Sequence, residues 1–350
     1  MLSKEFDPNS AALEGSGIYG LPSTLEDSRV VLIPVPVEIT TSYGGGTAKG
    51  PDAILKASRQ VDLYDASAGR VYEAGITMLA ESPLIRRLNR QGRRLAQPII
   101  EKGGEPDGSG ELESKLRKVN EIGGFVNDYV YSTAVDLLAQ NKIVGVVGGD
   151  HSVPFGLIRA CAEQFPHLGV LHFDAHHDLR IAYEGFEWSH ASIMFNVIQK
   201  IPQVRRLVQV GIRDFCEQEM KVVHESKGRI VAFRDEDLQR QKFQGKTWSS
   251  RASRIVSALP RNVYVSFDID GLNASLCPHT GTPVPGGLSF EEAVYLIAAV
   301  ARSGRRIVGF DLNEVAPGAE GGDWDANVGA RLLYKLIGHT LLSQTKRKRR

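Results

Sequence analysis

The stretch LHFDAHHDLR, residues 171–180, crowds Asp174, His176, His177, Asp178 and Arg180 into seven positions. Two further stretches share its character: GGDHS (148–152), with His151, and SFDIDG (266–271), with Asp268 and Asp270. In extended chain, alternate residues face the same side. Asp174, His176 and Asp178 therefore converge, as do Asp268 and Asp270, while His177 points elsewhere as a structural or surface histidine. Four carboxylates held together without a counter-charge are very costly, and one or two divalent cations remove that cost. His151, Asp174, His176, Asp178, Asp268 and Asp270 offer carboxylates and imidazoles but no thiolate, which suits Mn²⁺ better than a thiolate-rich zinc site. Six donors exceed the four of tetrahedral Zn²⁺. They suit two metals bridged by carboxylates that clamp and deprotonate a shared water.

Such residues must be positioned by the elements they end. Continuous apolar runs at 29–36, 142–149, 168–175, 205–212, 262–270 and 305–312 read as strands covered on both faces. Helical patterns at 124–142, 154–165, 289–304 and 327–342 lie between them. This alternation predicts a parallel sheet with helices on both faces, and in such sheets function collects beyond the carboxyl ends of the strands. Residues 82–120 break the rhythm with RRLNRQGRRLAQ and GGEPDGSGE and read as an insertion or surface excursion. YGGGTAKGP lacks the phosphate-loop pattern. It reads as a tight turn into a helix starting at Pro51, with Thr40, Thr41 and Ser42 at the pocket border. The tail KRKRR reads as a solvated terminus, with polyanion binding as the alternative.

The bulk properties exclude other classes. The chain has 350 residues, 42% hydrophobic and 24% charged, with net charge +1. That is ordinary globular composition, and nothing in it points to nucleic acid or a membrane surface. The start MLSKEFDPNSAALEG has no apolar core of a signal peptide, and no run of 18 apolar residues occurs. Cys161, Cys216 and Cys277 are scattered and lack CxxC spacing, which fits a reduced, cytoplasmic setting.

GGDHS, FDAHHD and SFDIDGLN resemble, in order and spacing, three motifs of the ureohydrolase family: arginases, agmatinases, formiminoglutamases and guanidino-acid hydrolases. SYGGGTAKGPDAI (42–54), TGTPVPGGL (280–288) and DLNEVAP (311–317) are similar to further family segments, and agmatinase-like members look nearest. The resemblance spans about residues 29–340. It implies a three-layer α/β/α fold with a mainly parallel central sheet. One catalytic domain would cover 29–342, between an N-terminal extension (1–28) and a basic tail (343–350), with an insertion near 82–120. It implies two Mn²⁺, or ions such as Ni²⁺. His151, Asp174, Asp178 and Asp268 would hold one; Asp174, His176, Asp268 and Asp270 would hold the other, with Asp174 and Asp268 bridging. A trimer or hexamer is the family's usual assembly.

The implied reaction is attack by metal-activated water on a guanidinium or formimino carbon. Asp178 would orient the water and pass a proton to the leaving amine. Glu314 would pair with the cationic group, and His190 would shuttle protons at the mouth. The chain departs from the family pattern at Asn273, which replaces an aspartate, and at Ala191, which follows His190 in place of glycine and narrows the pocket. Arg180 stands where arginases have an asparagine that reads the substrate's amino-acid end. It either attracts a substrate carboxylate or pairs with Glu184 or Glu187. Urea release from agmatine or a guanidino acid is the leading reading. Formamide release from formiminoglutamate and hydrolysis of free guanidine are alternatives. A single-zinc deacetylase and a non-catalytic binding member are less favoured.

Overall fold

Alternate residues of each strand feed two different cores. Val30 and Leu32 of β1 (Val30–Val35) join one apolar cluster, while Val31 and Ile33 join the other. The same split recurs at Ile143 against Val144 in β3 (Ile143–Gly148) and at Leu171 against Val170 in β4 (Leu168–Phe173). Every residue of these three strands is buried, as expected of strands with helices on both faces. The structure is a computed structural model that describes residues 6–104, 110–318 and 322–345. The tail KRKRR and part of the Gly/Pro-rich stretch (105–109) lie outside the described residues.

The remaining strands are β2 (Ile76–Met78), β5 (Val204–Val210), β6 (Ile230–Phe233), β7 (Asn262–Asp268) and β8 (Arg306–Asn313). They form one sheet in the order β2-β1-β3-β8-β7-β4-β5-β6, and all pairings are parallel. The three-layer expectation therefore holds. One face is covered by α1 (Gly50–Ala57), α8 (Trp248–Ser257), α9 (Phe290–Arg302) and α10 (Trp324–Gln344). The other carries α2 (Pro83–Ile100), α3 (Gly110–Ala139), α4 (Phe155–Gln164) and α5 (Ile193–Lys200). Two further helices, α6 (Glu217–Glu225) and α7 (Asp235–Phe243), follow β5 and β6. The six expected strands are present. The two that the sequence pattern missed, β2 and β6, are three and four residues long and lie at the sheet edges. Such short edge strands lack the apolar run that betrays a central one.

Within 82–120, residues 83–100 and 110–120 are helical rather than irregular. Ser82 caps α2, its hydroxyl accepting from the Ile85 amide (3.4 Å), with Pro83 in the first turn. Ile85, Ala96, Ile99, Leu112, Val119 and Ile122 join the core on that face of the sheet. Of the arginines that suggested a surface excursion, Arg86, Arg87, Arg90 and Arg94 occupy the outer side of an amphipathic helix, while Arg93 turns toward the Thr41 carbonyl.

Gly149 closes the crossing behind β3. Its amide donates to Val35 O (2.8 Å), and its carbonyl accepts from the Glu314 amide (2.7 Å). A Cβ there would lie 2.0 Å from the Val37 carbonyl oxygen, which is backbone and has no room to yield. Gly149→Ala should lower stability by about 2–3 kcal/mol in chemical denaturation. Gly45→Ala, where a Cβ meets nothing within 4 Å, should be near neutral. Equal midpoints for the two variants would contradict this crossing.

Candidate metal centre and cleft

Four neighbouring strands, β3, β8, β7 and β4, deliver the charged residues from their carboxyl ends. After β3 the chain re-enters the sheet at β4, and β7 and β8 fill the gap between them later. That separation of consecutive strands is where α/β sheets open a crevice. His151 follows β3, Glu314 follows β8, Asp268 ends β7 with Asp270 in the turn after it, and Asp174, His176 and Asp178 follow β4.

The expected residues meet. His151 Nδ1 lies 3.1 Å from Asp174 Oδ2, 3.3 Å from Asp178 Oδ2 and 3.4 Å from Asp268 Oδ2. His176 Nδ1 lies 3.4 Å from Asp174 Oδ1 and 3.1 Å from Asp270 Oδ2. Asp174 thus presents one oxygen to each histidine. Two groups have donor atoms all within 4.8 Å: His151, His172, Asp174 and Asp178, and then Asp174, His176 and Asp270. Backbone amides orient the carboxylates. His176 N donates to Asp174 Oδ1 (2.6 Å), Ala175 N to Asp270 Oδ1 (2.9 Å) and Asp270 N to Asp268 Oδ1 (2.8 Å).

None of the four aspartates is more than 4% exposed. Burial, and then the charge of Asp174, pushes Asp178 up to about 8. Burial, and then Asp270 and Asp174, pushes Asp268 well above the usual carboxylate range. Burial lowers His176, yet Asp270 and Asp174 outweigh it and push the imidazole up to about 12. Cations held between these groups would remove the same repulsion, so the donor set fits a two-metal centre. Asp178 and Glu314 also have left-handed backbone, φ 54° and 63°. Non-glycine residues reach that region at a cost, and such costs concentrate at functional sites.

A surrounding shell aims the donors. Ser266 Oγ lies 2.9 Å from His151 Nε2 and donates to Asp311 Oδ1 (3.0 Å). This leaves Nδ1 of His151 for the carboxylate cluster. His172 Nε2 lies 2.8 Å from Asp174 Oδ2, and its Nδ1 accepts from Gln209 Nε2 (2.9 Å). Gln209 Oε1 lies 2.7 Å from His177 Nδ1. His172 is thus committed to Asp174 through Nε2 and to Gln209 through Nδ1. The sequence carried a signal for both supports, since His172 and Ser266 each precede an aspartate by two and so share its face. His177 is buried beside Phe215, ring centroids 5.1 Å apart, in line with a structural role.

A cleft of about 420 Å³ opens over the cluster, lined by His176, Asp178, Arg180, His190, Ala191 and Asp214 among others. Ser42 and Tyr43 form part of its wall, whereas Thr40 faces a separate small cavity. Glu314 lies in a narrower slot with Thr41, Ser42, His190 and Thr282. Its Oε1 accepts from the His151 amide (2.9 Å), while its buried Oε2 has no partner among the described residues. His190 Nδ1 is also buried without a partner among the described residues, and burial holds that imidazole down at about 4, hence neutral. The Arg180 guanidinium lies 4.9 Å from the Tyr183 ring centre. Among the described residues it forms no ion pair with Glu184 or Glu187. Asn273 Oδ1 accepts from the Ser275 amide (3.1 Å) and hydroxyl (2.7 Å), a turn that needs no aspartate.

The α2–α3 pair braces both loops at the mouth. Asn89 Oδ1 accepts from the Glu38 amide (2.8 Å), Arg93 donates to the Thr41 carbonyl, and Ile39 packs on Gly92. Asn120 exchanges bonds with Gly185 O (3.3 Å) and the Glu187 amide (3.0 Å), and Trp188 packs on Gly123.

The sequence model of the Arginase family matches residues 28–338. The chain is 32% identical to the N(1)-aminopropylagmatine ureohydrolase of Thermus thermophilus, over 92% of this chain and 94% of that one. It is 28% identical to the agmatinase of Bacillus subtilis, over 89% and 92%. The fold matches the solved proclavaminate amidino hydrolase from Streptomyces clavuligerus with a TM-score of 0.72. That match is 24% identical and covers 96% of this chain and 100% of that one.

Between pH 7 and 8.5 the unfolded chain has Asp178 ionised and His176 neutral. The folded metal-free protein keeps a proton on Asp178 up to about 8 and on His176 up to about 12. The folded state binds more protons, so its stability falls as pH rises through this window. Bound metal displaces those protons. The thermal midpoint of metal-free protein should therefore drop from pH 7 to 8.5, while the gap to Mn²⁺-loaded protein widens. A metal-free midpoint that rises across the window would contradict the protonated cluster.

Proposed function

Because the chain belongs to the arginase family, we propose that its cleft hydrolyses a C–N bond of a guanidino compound, releasing urea and an amine. One observation carries the reading: a buried cluster shared at Asp174 lies beside a slot where Glu314 offers an unpaired acceptor. The family depends on two metal ions. We assign one Mn²⁺ to His151, Asp174, Asp178 and Asp268, and the other to Asp174, His176, Asp268 and Asp270, with Ni²⁺ as an alternative ion. When bound, the metals supply a water acidic enough to attack near neutral pH.

The chain's own residues do the rest. Glu314 Oε2 accepts an N–H of the planar guanidinium, a geometry that carboxylates match. Asp178 holds the attacking water by hydrogen bond. Oxygen bonds to the guanidinium carbon, the C–N bond to the tail breaks, and the proton passes through Asp178 to the leaving nitrogen. His190, neutral and at the junction of slot and cleft, exchanges protons between the leaving amine and solvent. We place the enzyme in the cytoplasm, in keeping with its three free cysteines, as a homo-oligomer, a trimer or hexamer.

Arg180 sets the tail. Its cation lines the cleft without a carboxylate partner among the described residues, so a tail ending in a carboxylate fits and an ammonium there is repelled. A guanidino acid is the preferred substrate. Formiminoglutamate, giving formamide, shares the acid tail. Asp214 in the same cleft favours the second reading, an amine tail as in agmatine. Free guanidine has no tail for either group.

Mn²⁺-loaded protein should release urea from at least one guanidino acid faster than from agmatine, arginine or guanidine. Arg180→Met should reduce kcat/KM for the acid about ten- to hundred-fold and leave agmatine unchanged or improved. Turnover of agmatine alone, insensitive to Arg180, would reverse the tail assignment. No urea from any of them, with formamide from formiminoglutamate, would move the chain to the formimino branch. Glu314→Gln and His190→Ala should each lower turnover about a hundred-fold or more with two metals still bound. Metal loss in either variant would show a structural role.

A further inference from the structure

We infer that Arg213 is a positioning residue that ties the His176–Asp270 side of the metal centre to the wall of the cleft. Its Nη2 donates to the carbonyls of Asp270 (2.8 Å), Leu272 (3.3 Å) and Val284 (2.9 Å). Its Nε donates to Pro285 O (3.1 Å) and Val284 O (3.3 Å), and its Nη1 to Gly211 O (3.2 Å). Its backbone amide donates to Ala175 O (2.7 Å), between Asp174 and His176. One side chain therefore joins the ends of β5 and β7 to the loop that supplies Val284 to the cleft. No carboxylate pairs with it among the described residues, so its whole fork of donors serves carbonyls.

The loop is shaped around this side chain. Gly286 and Gly287 have φ of 98° and 94°, and a Cβ on Gly286 would lie 3.3 Å from Arg213 Cδ and 2.7 Å from Asp235 Oδ2. Those positive angles favour glycine, and they let residues 284–287 fold over the guanidinium. Asp270 is held at both ends: its carboxylate accepts from the Ala175 amide, and its carbonyl accepts from Arg213. Losing the guanidinium frees the carbonyl end of Asp270 and the cleft wall together. A lysine cannot substitute, because a single ammonium with three donors does not span carbonyls arranged around a planar fork. This role rests on the two-metal reading, but its test does not need the substrate.

The test is calorimetric titration of metal-free protein with Mn²⁺ alone, with metal content after dialysis, for wild type, Arg213→Lys and Arg229→Lys. Arg229 is the control. It also donates only to carbonyls, Val204 (2.9 and 2.7 Å) and Ile201 (3.2 Å), at the opposite end of β5. Arg213→Lys should bind the first Mn²⁺ like wild type and the second about ten- to hundred-fold more weakly. With whichever substrate is turned over, KM should rise more than kcat falls. Arg229→Lys should lower the melting temperature and leave both Mn²⁺ affinities unchanged. The inference is overturned if Arg213→Lys binds both ions like wild type. It is equally overturned if both sites weaken in proportion to lost stability, as in a merely structural brace. A wild-type chain that takes up only one Mn²⁺ would overturn the two-metal reading and this role with it.

Discussion

Electrostatic repulsion among Asp174, Asp178, Asp268 and Asp270 is the constraint around which the rest of the structure is arranged. The four carboxylates share a buried space, where like charges interact far more strongly than in water. Without cations the protein answers by protonation: Asp178 and Asp268 are driven upward, and His151 and His176 are held as cations against them. That state resembles a metal centre with protons in place of metals. A cation bound there would displace those protons and remove the repulsion without any strand having to move.

The strands cannot move because each supporting element is committed elsewhere. β3, β8, β7 and β4 are packed by helices on both faces, with core residues drawn from both clusters. Backbone amides and buried side chains fix each donor from behind: Ser266 and Asp311 behind His151, and His172 and Gln209 behind Asp174. The left-handed conformations of Asp178 and Glu314 persist because the surrounding bonds over-determine them. The mouth is held by other means. Its loops are irregular, so they lean on α2, α3 and the fork of Arg213.

The shape of the cleft explains why the reaction class is clearer than the substrate. In the proposed reaction, Glu314 and the carboxylate cluster face the planar amidine group, guanidino or formimino, that every candidate substrate carries. Further out, the cleft is lined by Arg180 and Asp214, which have opposite charges, and by Tyr183. The curated relatives are named for amine-tailed substrates, and Arg180 is the residue whose charge opposes such a tail.

The linear chain determined the metal-binding character and the central strands. Period-two spacing places alternating aspartates and histidines on one side of extended backbone, and fully buried parallel strands leave uninterrupted apolar runs. The same spacing carries His172 and Ser266, whose role emerges only once their partners Gln209 and Asp311 are adjacent. Tertiary structure alone decided which strands become neighbours. It decided that residues 83–100 and 110–120 form helices whose inner face completes the core, and that Arg213 reaches carbonyls up to 72 positions away. It also decided that Arg180 faces the cleft rather than Glu184 or Glu187. The physical reason is range: periodicity acts over a few residues through backbone geometry. Partners for a buried donor or an unpaired cation are chosen by packing between segments that the sequence separates.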